Sequence, residues 1–239
     1  EKAERFSKAM IAGADVVCVD LEDAVHIERK QVAREQVLGW LSKKQASEGP
    51  AIALRINGLR TLEGLRDVLA LDESGVHLEW LLVPKVEDAA DLRALHSWIG
   101  HRYDRLTALI ETPRGVENAL SIAHAGGKLA ALMLGGADLA AELGAQFGWD
   151  GLLHARGRLV NAAKAAGLQA WDVPHIDLGR PDDLSEETRK VLALGFSCKT
   201  AIHPQQIPII HAAFAPSPDD LAWANALLQA TPEGPTDGA

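Results

Sequence analysis

The chain has little cysteine: Cys18 and Cys198 are the only two among 239 residues. A disulfide framework is excluded as a source of stability. Each thiol sits in or beside an apolar run and is expected to be buried, in a protein of the reducing cytoplasm. No apolar run approaches the ~20 residues of a membrane span, so no membrane partner is expected. Basic residues are outnumbered, 24 Lys and Arg against 33 Asp and Glu, and the resulting charge of −9 argues against a nucleic-acid partner. Three catalytic signatures are missing: the phosphate fingerprint G-x-G-x-x-G, the Cys/His spacing of a zinc site, and a Ser/His/Asp pattern. With 47% hydrophobic residues, the chain can build the core of one large α/β domain.

Most informative is Leu106 to Asp138. An apolar run, Leu106 to Ile110, stops at Glu111, and Thr112-Pro113-Arg114-Gly115 turns the chain. A helical pattern over Val116, Ala119, Leu120, Ile122 and Ala123 ends at Gly126-Gly127. A second apolar run, Leu129 to Leu134, then breaks at Gly135-Gly136-Ala137-Asp138. This predicts strand, helix, strand, with a carboxylate just past each strand. Short continuous apolar strands imply a parallel sheet covered on both faces, whose carboxyl ends carry the chemistry. Glu111 and Asp138 from neighbouring strands suit one hard cation. Their other reading is as N-caps of the following helices, for which Glu is poorly suited.

The same alternation runs through the chain. Helices are expected over 1–13, 30–44, 62–71, 87–99, 139–147, 152–166, 185–194, 205–213 and 218–229. Strands are expected at 16–19, 51–54, 80–83, 168–171 and 200–202, besides the two above. The strand ends carry Asp20, Glu22 and Asp23; Arg55 and Asn57; Lys85; Glu111; Gly136 and Asp138; Asp172; and His203. In a barrel these surround one mouth, and the mixture suits a cation plus an anionic substrate. Arg55 offers a two-pronged grip on a carboxylate, or a structural ion pair with Asp20 or Glu22. Lys85 lies among acids that raise its pKa, which disfavours a Schiff base. His203 before Pro204 reads as a structural imidazole rather than a general base. The six Trp read as packing.

About seven strands are present, where a (β/α)₈ barrel needs eight. The chain opens in a helix, so the first strand is the one missing and is expected upstream of Glu1. The strands ending at Asp20 and His203 should then flank a gap, and direct pairing between them would refute this. One barrel domain is expected over residues 1–229, followed by a disordered tail over 230–239.

Asp20-Leu21-Glu22-Asp23-Ala24-Val25, Arg55-Ile56-Asn57, Val83-Pro84-Lys85-Val86-Glu87, Ile110-Glu111-Thr112-Pro113, Gly135-Gly136-Ala137-Asp138-Leu139 and Ile202-His203-Pro204-Gln205 together resemble the citrate lyase beta subunit family of the HpcH/HpaI aldolase/citrate lyase superfamily. The likeness runs from about residue 3 to 226. It implies a TIM (β/α)₈ barrel, a homo-oligomer (trimer or hexamer), and cleavage of a carbon–carbon bond in a 3-hydroxy acyl thioester. Citryl-, citramalyl- and malyl-CoA and citryl-carrier protein are such substrates, each giving a keto acid and an acyl thioester. It also implies Mg²⁺ on Glu111 and Asp138, with Gly136 and Ala137 beside the substrate and Arg55 on the keto-acid carboxylate. Glu22 and Asp23 would order waters, and Lys85 would line the mouth as a charge. The alternatives are a metal-dependent pyruvate aldolase acting on free hydroxy-keto acids, or a non-catalytic subunit that keeps the fold.

Overall fold

The computed structural model describes residues 3–43 and 49–230. Its elements are α1 (Ala3–Met10), β1 (Val16–Asp20), α2 (Lys30–Leu41), β2 (Ala51–Arg55), α3 (Leu62–Ser74), β3 (Leu78–Val83), α4 (Ala89–Ile99), β4 (Tyr103–Ile110), α5 (Pro113–Glu117), α6 (Ala119–Ala123), β5 (Leu129–Leu134), α7 (Gly136–Leu143), α8 (Trp149–Ala165), β6 (Gln169–Asp172), α9 (Pro181–Leu194), β7 (Cys198–Lys199), α10 (Gln206–Phe214) and α11 (Pro218–Ala230).

The seven strands form one parallel sheet in chain order, β1 to β7. Each strand pairs with the next across a helical crossover, the connectivity of a TIM-type barrel. Among the described residues β1 and β7 do not pair with each other, so the sheet has two end strands.

Two apolar layers follow from strand alternation. One face carries Ala53, Trp80, Leu82, Leu109, Ala131 and Trp171, with the Trp80 and Trp171 rings 4.9 Å apart. This is the barrel interior. The other face packs Leu54, Leu81, Val83, Ala108, Ile110, Leu132 and Leu134 against the helices, among them Leu92, Leu95 and Ile99 of α4. Because both faces are buried, the strands read as unbroken apolar runs. Arg55 continues the inward positions of β2, two residues beyond Ala53, and Glu111 stands likewise two beyond Leu109. The fold thus aims both at the mouth.

Several boundaries differ from expectation. The last strand is Cys198–Lys199 rather than 200–202, because the ladder pairs Trp171 with Cys198 and Asp172 with Lys199. Helix α9 starts at Pro181 rather than at Ser185, since proline suits the first helical turn. Helix α7 starts at Gly136, so Asp138 lies in its first turn. The single helix after Glu111 is two short ones divided at Asn118, whose side chain donates to the Glu87 carbonyl at 2.8 Å. The expected burial of both thiols fails: Cys18 is exposed and Cys198 only half-buried, as each sits on an end strand of the sheet. Of the tryptophans, Trp40, Trp98 and Trp223 are exposed. The tail from 231 lies outside the described residues. Among those residues no helix is long and apolar enough to cross a membrane.

Candidate active site

The mouth begins where β1 and β2 end. Their register sets Asp20 directly opposite Arg55. The guanidinium forks onto this carboxylate, Nε to Oδ1 at 2.8 Å and Nη2 to Oδ2 at 2.6 Å. Its remaining nitrogen, Nη1, faces Glu22 Oε2 at 2.9 Å and Asp23 Oδ2 at 3.3 Å. Glu22 Oε2 is buried and has no aligned hydrogen bond, so this is a charge contact rather than a formed one. Burial works to raise the Asp20 carboxyl, but the hydrogen bonds and charge of Arg55 prevail and hold it below its usual value. Glu22 goes the other way: burial raises it in spite of Arg55.

The ladders extend past the strands and fix the next groups. Leu21 N–H donates to Arg55 O at 2.9 Å, which pins the turn carrying Glu22. Lys30 Nζ donates to the Leu21 carbonyl at 2.8 Å and to the Glu22 carbonyl at 2.5 Å, tying α2 to that turn. Val86 N–H donates to Leu109 O at 3.1 Å and holds the Lys85 turn against β4. Lys85 has φ 53°, the only positive φ at a described non-glycine residue. In that conformation its N–H donates to Glu111 Oε1 at 2.8 Å. Its ammonium lies 3.2 Å from Asp138 Oδ2 and 3.5 Å from Glu22 Oε1. Burial lowers the Lys85 pKa, but Asp138 and Glu22 outweigh it and the net shift is upward. A neutral amine for Schiff-base chemistry is therefore disfavoured.

Glu111 is not an N-cap. Thr112 takes that role for α5, its hydroxyl accepting from Gly115 N–H at 3.0 Å, which frees Glu111 for the mouth. The Glu111 side chain is buried by Gly135, whose N–H donates to Ile110 O at 3.0 Å and continues the β4–β5 ladder. Burial and the charge of Glu22 push the Glu111 carboxyl up to about 7, against the Lys85 amide that stabilises its anion. Gly136 and Ala137 form the first turn of α7, where backbone N–H groups have no intrahelical acceptor.

Glu22, Glu111 and Asp138 thus converge on Lys85, beside Arg55. Among the described residues no three acid, imidazole or thiol groups form a closed metal cage. The donor set still fits a hard divalent cation of the kind that takes one or two carboxylates and completes its sphere with water and substrate oxygens. A carboxyl raised by burial and by neighbouring acids, and an ammonium seated among acids, both mark a place where positive charge is favoured.

Three expected mouth residues have structural roles instead. Asp172 faces the helix layer, because its neighbour Trp171 takes the interior position. There Arg156 Nε of α8 donates to it at 2.8 Å and Lys199 Nζ at 2.9 Å, with Asp172 and Lys199 side chains fully buried. Lys199 also donates to Glu187 Oε1 of α9 at 2.6 Å. Asn57 holds Asp67 and the Leu21 carbonyl, a structural role. His203 Nδ1 accepts from Gln205 N–H at 3.2 Å, so its imidazole caps the approach to α10. Sequence reasoning missed Gly135 as the wall behind Glu111, and nothing but the doubled glycine hinted at it.

Comparison with known proteins agrees with this architecture. The family model of HpcH/HpaI aldolase/citrate lyase matches residues 1–204. A citrate lyase subunit beta-like protein of Mycobacterium tuberculosis is 35% identical over 238 residues, covering 97% of this chain and 82% of the relative. A (3S)-malyl-CoA thioesterase of Cereibacter sphaeroides is 34% identical over 239 residues, covering 99% of this chain and 82% of its own length. Among solved structures, protein CitE of M. tuberculosis in complex with magnesium, acetoacetate and coenzyme A superposes with a TM-score of 0.79 at 36% identity, over 95% of this chain and 82% of that one. The chain belongs to the HpcH/HpaI aldolase/citrate lyase family.

Proposed function

We propose that this member of the family is a Mg²⁺-dependent carbon–carbon lyase. It cleaves a 3-hydroxy-carboxyacyl thioester, on CoA or on a carrier protein, to a keto acid and an acyl thioester. The observation that carries the reading is the convergence of three acids on Lys85 beside Arg55, Glu22 and Asp138 on its ammonium and Glu111 on its backbone N–H. The magnesium, acetoacetate and coenzyme A in the CitE complex support the choice of cation and thioester.

Glu111 and Asp138 would hold the cation. Bound there, Mg²⁺ supplies Lewis acidity and a template for a carboxylate and a neighbouring hydroxyl. The residues of the chain do the rest. Arg55 has three acid partners and already spends its fork on Asp20, so it meets a keto-acid carboxylate through Nη1, the edge now facing Glu22 and Asp23. Gly136 and Ala137 turn their first-turn amides toward that carboxylate, where the helix terminus favours negative charge. Glu22 and Asp23 order water at the mouth. Arg55 keeps positive charge close to the developing enolate, the kind of preorganised electrostatics that supplies much of a rate enhancement, and Lys85 lines the same mouth.

We further read residues 1–229 as one catalytic domain that works in the cytoplasm as a homo-oligomer, a trimer or hexamer. The exposed Leu228 side of α11 and the Leu62, Leu65 and Leu69 stripe of α3 are surfaces that suit association.

The test is incubation of the purified chain with citryl-, citramalyl- and malyl-CoA, with and without Mg²⁺, and chromatography of the products. A keto acid appearing with a shorter acyl-CoA, only with Mg²⁺, is the expected result. Free CoA with the intact hydroxy acid would instead mark hydrolysis of the thioester, and no turnover of any thioester would sink the lyase reading.

A further inference from the structure

The place a cation would favour in the carboxylate cluster holds a positive charge of the chain's own. Lys85 Nζ stands 3.2 Å from Asp138 Oδ2 and 3.5 Å from Glu22 Oε1. Its backbone N–H is committed to Glu111 Oε1, so the residue touches all three acids at once. The left-handed backbone at Lys85, φ 53°, is a conformation that side-chain-bearing residues adopt only when their surroundings enforce it. Here the Val86 N–H to Leu109 O bond and the Glu111 contact enforce it together.

The two kinds of charge differ in freedom. Glu22 and Glu111 are 6% and 4% exposed and cannot leave the mouth. The Lys85 side chain is 45% exposed and ends on a long flexible stem, so it can swing into water while its backbone stays bound to Glu111. Mg²⁺ bonds oxygen at ~2.0–2.1 Å and needs a compact shell. A cation on Asp138 would share that carboxylate with an ammonium now 3.2 Å from it, and the two positive charges would repel.

We propose that Lys85 is a resident counter-cation of this site: it neutralises Glu22, Glu111 and Asp138 before a divalent cation arrives, and is displaced when one binds. This rests on the reading that the cluster holds Mg²⁺. A tethered competitor lowers apparent affinity by the fraction of time it occupies the site, so Lys85 sets the concentration at which the site fills. It also gives the metal-free protein a counter-charge beside two buried carboxylates, Glu22 and Glu111.

The experiment is calorimetric titration of Mg²⁺, without substrate, into the metal-free full chain and its variants Lys85→Met, Lys85→Gln and Asp138→Asn, with thermal melts of each. Lys85→Met is expected to bind Mg²⁺ roughly tenfold more tightly than wild type. Its metal-free melting point should fall, and added Mg²⁺ should raise it by more than in wild type. Lys85→Gln keeps much of the stem without the charge and gives the same ordering where Lys85→Met does not fold. Equal or weaker binding in both Lys85 variants, with wild type binding and Asp138→Asn not, overturns the displacement and leaves the metal site standing. Wild type binding no better than Asp138→Asn overturns the metal site and this inference with it.

Discussion

Gly135 and Glu111 are in steric contact: a Cβ placed on Gly135 would lie 2.3 Å from Glu111 Oε2 and 2.4 Å from its Cβ. The absence of a side chain at one strand end is thus what lets the carboxylate of the neighbouring strand occupy the mouth. Gly135→Ala must displace Glu111. Supporting residues around a metal site typically matter by 10–100-fold. We expect Mg²⁺ affinity to drop by roughly tenfold or more, measured by calorimetry, with the circular-dichroism spectrum unchanged. Unaltered affinity would show that Glu111 is not a ligand.

Arg55 carries a second expectation. Arg55→Lys keeps the charge but loses the fork on Asp20 and the third contact on Glu22 and Asp23 together. A fall of ~10² or more in kcat/KM is expected, equivalent to ~2.7 kcal/mol of transition-state stabilisation. Steady-state kinetics of the variant at saturating Mg²⁺ checks it, and near-normal activity would make Arg55 a purely structural anchor for Asp20.

The raised Glu111 carboxyl has a signed pH consequence. Its folded pKa of about 7 exceeds its ordinary 4.5, so between those values the folded state binds more protons than the unfolded one. Its contribution to metal-free stability is therefore full below the ordinary value and lost as pH rises toward 7, at most ~3 kcal/mol at 1.36 kcal/mol per unit. Asp20 is lowered and acts oppositely, losing its stabilising contribution only as pH falls below the normal carboxylate range. Mg²⁺ competes with the Glu111 proton, so Mg²⁺-induced stabilisation should grow as pH rises through about 7. Melting curves across pH, with Mg²⁺ and with a chelator, read both trends, and parallel curves would remove Glu111 from the cation's reach.

The buried pair on the far side of the sheet predicts stability rather than activity. Lys199 and Asp172 are fully buried and Arg156 nearly so. Lys199→Ala leaves Asp172 and Glu187 with one fewer cation, and breaking a buried pair in this way costs ~3–5 kcal/mol. Urea denaturation should show the loss as a lower midpoint. A change under ~1 kcal/mol, the scale of an exposed pair, would mean that water reaches the network.

Much of this was legible because burial leaves marks in sequence. Strands β2 to β5 are covered on both faces and therefore appear as apolar runs with sharp ends. Glu111 stood out because it ends such a run and is poorly suited to cap the helix that follows. The same double burial hid Asp172: with no polar face to contrast, alternation does not say which way a strand-end carboxylate points. The missing clue lay on α8, where Arg156 falls on the stripe shared by Leu152, Ala155, Leu159 and Val160. A charge inside an apolar stripe demands a buried partner, and Asp172 is that partner. The boundary of β7 was lost to its ladder with β6, which local propensity does not register, whereas the start of α9 follows from Pro181.

The strictly sequential order of the sheet bears on how the molecule comes into being. Every strand pairs with the one made just before it, so each new strand–helix unit can dock on an edge already formed as the chain leaves the ribosome. The mouth, however, draws Glu22 from after the first strand and Asp138 from after the fifth. Partially synthesised chains can thus carry an ordered sheet while lacking any cation site. With the cation on Glu111 and Asp138 as proposed, Mg²⁺ capture would be a late event of biosynthesis, and a marker that at least five strands are in place.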